Sequence, residues 1–115
     1  MIPPQELMEA IFKQGQILIQ KNEEYPKLIE KMADAKMEYN MGFATKQTQL
    51  RLDGVAVTII DKQCRGTSPV AKLERDYIIA EGVVEACRES MRDARAIMDS
   101  YRSLLTWMRE ELVRS

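Results

Sequence analysis

Histidine is absent from this chain, which removes the commonest general base, metal ligand and triad member at once. The two cysteines, Cys64 and Cys87, are too few for a disulfide framework and lack metal-site spacing. The five glycines are scattered singly, so no Gly-rich loop is available to cradle a phosphate. No apolar run approaches the ~20 residues of a membrane span, and Met1-Ile2-Pro3-Pro4 lacks the basic start and apolar core of a signal peptide. Net charge is only -1, so no overall basic field attracts nucleic acid or an anionic membrane. The expectation is a cytoplasmic protein with no cofactor, no metal, no membrane contact and no catalytic centre.

The strongest positive feature is an apolar residue at every 3-4 step from Val70 to Leu112. The series is Val70, Leu73, Tyr77, Ala80, Val84, Cys87, Met91, Ala94, Met98, Tyr101, Leu105, Met108 and Leu112. A seam of this kind predicts one long helix over 69–113 that packs against other helices. Ser68 reads as its cap and Pro69 as its first residue. At ~1.5 Å per residue such a helix runs to about 65 Å. Cys87 falls on the seam, where a small apolar side chain is wanted, and is read as structural.

Upstream, Pro3 and Pro4 suit a first helical turn. Leu7, Met8, Ile11, Phe12, Leu18 and Ile19 then recur with helical spacing. Gly15 weakens this helix by up to ~1 kcal/mol, and Pro26 cannot donate to the carbonyl four residues back. The 4-3 pattern resumes with Leu28, Met32, Ala35, Tyr39 and Gly42. These signals predict two pieces, 4–24 and 26–48, joined at a kink. Between 49 and 67 the period changes. Leu50, Leu52, Val55, Val57 and Ile59 alternate around Asp53-Gly54, which predicts a short β-hairpin-like corner. Thr58 and Asp61 resemble a capping box, and Gly66 a terminator, which places a helical turn at Ile59–Arg65. The predicted fold is therefore all-α: a single domain over 1–115, built as a long antiparallel helical hairpin that assembles into a coiled-coil-like bundle.

The flanks of the seam bear on partners. One side carries Glu74, Glu81, Arg88, Arg95, Arg102 and Arg109; the other carries Asp76, Val83, Ser90, Ile97, Leu104 and Glu111. Three apolar residues on the second flank widen the stripe beyond a two-stranded coiled coil. A lone hairpin would leave one face of each arm wet, so a homo-dimer or higher oligomer is predicted, with Val70, Leu73, Tyr77, Val84, Met91, Met98, Tyr101, Leu105, Met108 and Leu112 as its seam. The row Arg88, Arg95, Arg102 and Arg109 is the candidate binding feature, for a phosphate backbone or an acidic protein surface. The plainer reading pairs these arginines with acids of a neighbouring helix, such as Glu30, Asp34 and Glu38, and is favoured. The apolar corner set Val55, Val57, Ile59 and Ile60 either caps the bundle end or docks a partner. The adjacent acids Glu23-Glu24 and Glu110-Glu111 read as solvated surface, because neighbours on a helix diverge by about 100°. Three of the four tyrosines, Tyr25, Tyr39, Tyr77 and Tyr101, fall on helical seams, where packing is preferred over stacking on bases.

A helix ending in Glu38-Tyr39 leads to Leu50-Arg51-Leu52-Asp53-Gly54, then Val57-Thr58, then Val70-Ala71-Lys72-Leu73-Glu74-Arg75-Asp76-Tyr77 and a long terminal helix. Over about 36–113 this pattern resembles small, mostly uncharacterised proteins encoded by phages and prophages of Gram-positive bacteria; the segment before Pro26 departs from it. The resemblance implies a viral accessory role in the bacterial host cytoplasm and supplies no functional residues. Three functions are weighed. The first is a non-enzymatic protein–protein interaction module, an accessory or inhibitor of a host protein (an anti-phage defence component included) or of a viral one. The second is an accessory factor for single-stranded DNA or recombination, working through the arginine row. The third is a nucleotide-binding sponge with pockets between protomers.

Overall fold

The computed structural model describes residues 2–114. Three helices occupy almost all of it: α1 (Pro4–Leu52), α2 (Val57–Gly66) and α3 (Ser68–Arg114). Among the described residues no strand is present, and the all-α hairpin expected from the apolar spacing is the architecture observed.

The chain resolves into two compact units, each of which interleaves distant stretches of sequence. The first joins the chain up to Pro26 with the chain from Glu85 onward. Here α1 and α3 run antiparallel: Tyr25 meets Arg88, and Met98 lies 3.8 Å from where a Cβ on Gly15 would stand. Its core is Leu7, Cys87, Met91 and Ala94. The second unit spans Lys27–Val84 and adds α2 to the helix pair. Its core is Ile60, Cys64, Val70 and Val84. Gly42 leaves room for the Leu73 side chain of α3 here, since a Cβ at that position would stand 2.5 Å from Leu73 Cδ1. The Cys64 thiol donates to the Phe43 carbonyl at 3.4 Å, and Gln47 donates to Asp61 at 3.0 Å, so two hydrogen bonds tie α2 to α1.

The α3 seam is the least exposed line of that helix. Val70, Val84, Cys87, Met91 and Ala94 are buried; Leu73, Tyr77, Ala80, Met98, Tyr101, Leu105 and Met108 are half-buried; Leu112 is exposed. Of what the sequence offered as an oligomer seam, Val70, Val84 and Met91 are therefore covered within the chain, and the rest only in part or, at Leu112, not at all. The reason is that α1, at 49 residues, matches the 47 residues of α3 and supplies an apolar stripe of its own in each unit.

Three local expectations are corrected. The first concerns Pro26, which lies inside one continuous helix rather than between two. The ring removes the amide that would bond the Asn22 carbonyl, at about 3 kcal/mol. Burial of the stripes on either side of it outweighs that loss. The second concerns the corner, which is not a β-hairpin: α1 continues through Leu50 and Leu52 and stops in a helical cap. Gly54 takes φ +84°, its amide donates to the Arg51 carbonyl at 3.2 Å, and the Val55 amide donates to the Leu50 carbonyl at 3.0 Å. These two bonds form a Schellman motif with Gly54 at the left-handed position. A glycine at positive φ serves both structures, which is why Asp53-Gly54 reads as either. Similarly, α2 begins at Val57 after an extended Ala56 without a side-chain cap, so Thr58 and Asp61 form no capping box. Thr67 closes α2, its hydroxyl donating to the Cys64 carbonyl at 2.7 Å, and its own carbonyl accepts the first helical bond of α3 from Ala71 at 2.9 Å.

Candidate interaction faces

In the first unit, α1 carries two apolar stripes rather than one. Leu7, Ile11 and Leu18 turn inward, Leu7 to 1% exposure. Met8, Phe12 and Ile19, each the next residue along, stand at 63%, 68% and 57% exposure. One residue is about 100° of helix rotation, so the second stripe forms a separate ridge, with Met8, Phe12 and Ile19 within about 40° of one another. The sequence signal was present in the doublets Leu7-Met8, Ile11-Phe12 and Leu18-Ile19, which a single-stripe reading merges.

Arg109 of the arginine row meets this ridge. Met8 and Arg109 line one depression together with Leu105 and Met108, which puts the outer stripe of α1 and the arginine edge of α3 on the same side of the pair. Each arginine follows a seam residue: Arg88 after Cys87, Arg95 after Ala94, Arg102 after Tyr101, Arg109 after Met108. Their guanidinium groups thus stand beside the seam and not on it. The expected pairing with Glu30, Asp34 and Glu38 is not found: those acids lie in the second unit. Instead the arginines use acids one turn back on α3. Arg88 meets Glu85 at 2.8 Å and Arg102 meets Asp99 at 3.6 Å. Arg88 also donates through Nε and Nη2 to the Tyr25 hydroxyl and lies 5.9 Å from the ring centroid. The hydroxyl, then Glu85, raise the Arg88 pKa above its ordinary value. Among the described residues, Arg95 and Arg109 have no ion pair and no hydrogen-bond partner on their side chains.

The second unit offers a different surface. Ile79 and Val83, at 49% and 44% exposure, line a depression with Leu28, Lys31, Asp76 and Ala80; Val83 belongs to the apolar flank read from the sequence. At the corner, Ile60 is buried and Val55 half-buried, while Val57 and Ile59 are exposed, so the four corner residues divide between packing and open surface. Tyr39 and Tyr77, like Tyr25, are engaged. Tyr39 stacks on Tyr77 with centroids 6.2 Å apart and meets Phe43 edge-on at 6.1 Å. The Tyr39 hydroxyl donates to Glu74 at 3.1 Å, and Tyr77 donates to Glu81 at 3.0 Å.

Burial and the Glu74 carboxylate push the Tyr39 pKa above 10.0, with Arg65 pulling weakly the other way. The folded state therefore favours the neutral phenol. Its contribution to stability is complete below the unfolded value of about 10 and is lost as pH rises through the folded one. The Tm of the wild type is expected to fall more steeply above pH 10 than that of Tyr39→Phe. Parallel alkaline curves would refute a role for this phenol in holding the unit.

Among the described residues no group of three or more His, Cys, Asp or Glu side chains could hold a metal ion, and no helix is long and apolar enough to cross a membrane. Both cysteines are buried and free. Burial, reinforced by Asp61, raises the Cys64 pKa, which disfavours the reactive thiolate. These faces combine exposed apolar ridges with guanidinium groups, a pairing that suits contact with an apolar, acidic surface. No family model, curated protein or solved structure matches the chain.

Proposed function

We propose that this chain is a non-enzymatic protein–protein interaction module that functions as a self-associated helical bundle. The observation that carries the reading is the paired stripes of α1 in the first unit, one buried and one bare, about 100° apart. A helix at the corner of a four-helix bundle has its two neighbours at roughly that angle, while a helix in a simple pair needs only one stripe. Surface area supports it. The chain exposes 8592 Å² at 13.3 kDa, against roughly 6,500 Å² for a folded monomer of that mass. The excess of about 2,000 Å² comfortably exceeds the ~800 Å² that each partner buries in a standard interface. Among the described residues, eight buried apolar residues face sixteen large exposed ones, a balance suited to a surface that meets other chains.

The resemblance to phage-encoded proteins extends the proposal to its setting: a viral accessory factor in the host cytoplasm that grips a host or phage protein and inhibits or assists it. A second reading, binding of single-stranded DNA, is favoured by one observation only, the unpaired Arg95 and Arg109. Measured by light scattering at micromolar concentration, the protein is expected at twice its chain mass or more. A value of one chain mass would defeat the self-associated module. For the partner, tagged protein is expected to retain a stoichiometric companion from host extract; retention of nothing would defeat that part.

A further inference from the structure

The four arginines recur every seven residues, and so do Glu9, Gln16 and Glu23 on α1. Glu85 and Asp99 hold Arg88 and Arg102 within the chain, which leaves Arg95 and Arg109 unpaired, fourteen residues apart. Glu9 and Glu23 are likewise exposed, without a partner among the described residues, and also fourteen residues apart. Two unpaired cations and two unpaired anions thus share one spacing, about 21 Å along a helix axis. Both pairs belong to the first unit, and Arg109 lines a depression with Met8 of the bare ridge.

We infer that this ridge and the arginine edge receive a second copy of the chain, α1 of each copy lying antiparallel on α3 of the other. Arg109 then meets Glu9 of the second copy and Arg95 meets Glu23, and the two-fold axis repeats both contacts. The height is right. Tyr25 stands level with Arg88 and Gly15 with Met98 in the chain's own pair, which sets Pro4 level with Arg109 and Met8 with Leu105. A two-fold axis along the helices presents a second α1 at the same level and leaves Glu9 about 7 Å along the axis from Arg109. Glu23 then sits about 7 Å along the axis from Arg95. Side chains on a helix lean toward its N-terminus, which in an antiparallel pair tilts this glutamate and this arginine toward each other. The methylene stems of the arginines cover the Met8, Phe12 and Ile19 ridge while their heads reach the carboxylates. A phosphate backbone fits less well, because Glu85, Glu89 and Asp99 interrupt the basic row and pair with Arg88, Arg92 and Arg102.

The inference rests on the self-associated module proposed above, and one experiment separates the two. Mass and dimer Kd are measured by sedimentation for the wild type, for Arg95→Glu with Arg109→Glu, for Glu9→Arg with Glu23→Arg, and for an equal mixture of the two variants. All four positions are exposed, and helix content by circular dichroism confirms folding. Each variant alone is expected to weaken the dimer at least tenfold. The mixture is expected to recover wild-type mass as a heterodimer, since every reversed charge then meets its opposite. If the wild type associates and the reversals leave its Kd unchanged, this face is not the interface, although the module survives. A monomeric wild type overturns both, and so does a monomer that holds a labelled oligonucleotide through Arg95 and Arg109.

Discussion

Met91→Asp is expected to unfold the first unit at neutral pH. Met91 is 6% exposed and lies in the four-residue core with Leu7, Cys87 and Ala94. The substitution removes about 2–5 kcal/mol of packing and buries a carboxylate, for which the described residues offer no buried polar partner. Each effect approaches the whole stability of a domain, about 5–15 kcal/mol. The aspartate is easier to accommodate when neutral, so its folded-state pKa rises. Destabilisation should therefore be smaller near pH 4 than at pH 7. Arg92→Asp, one residue away, is the control. That side chain is 71% exposed and its Glu89 pair is 3.9 Å long, so a change under ~1 kcal/mol is expected. Urea denaturation of both at two pH values checks the pair. Equal midpoints for the two variants would mean that the inward face has been wrongly assigned.

The second large effect is expected at Ile60→Ala, with a cost of about 3 kcal/mol confined mainly to α2. A ten-residue helix does not persist alone in water. This one is held by Ile60 at 2% exposure and Cys64 at 0%. Removing the larger anchor leaves Cys64 and the Gln47–Asp61 bond to hold it, which favours local opening. The readout is thiol labelling in native buffer. Cys64 is expected to react many-fold faster in the variant, while Cys87, in the other unit, keeps its wild-type rate. Unchanged labelling of Cys64 would show that α2 is held by something other than its buried face.

The repeating parts of the fold were legible, and the single residues that interrupt repeats were not. Thirteen seam positions outvote any one substitution, so α3 was read at 69–113 and observed at Ser68–Arg114. Pro26 carries a strong local penalty, and a local reading breaks the helix there, because the burial that outweighs it is tertiary. Asp53-Gly54 marks a positive φ correctly yet leaves open whether a strand or a helix precedes it. The arginine row was visible as a row, but its partners depended on how the helices align. The sequence alone suggested Glu30, Asp34 and Glu38, whereas the antiparallel alignment sets Tyr25 opposite Arg88. The bare ridge was hidden for a different reason. Met8, Phe12 and Ile19 each sit beside a buried residue, and hydrophobicity alone does not say which member of a doublet faces in.

The first unit is made from both ends of the chain, with 58 residues, 27–84, threaded between them. At ribosomal speeds of ~5–20 residues per second, the leading segment waits roughly 3–12 s for the far side of its own core to be translated. During that interval Leu7, Ile11 and Leu18 are as bare as Met8, Phe12 and Ile19. A nascent chain is thus at its stickiest before α3 emerges, when sister chains on the same messenger are also close by.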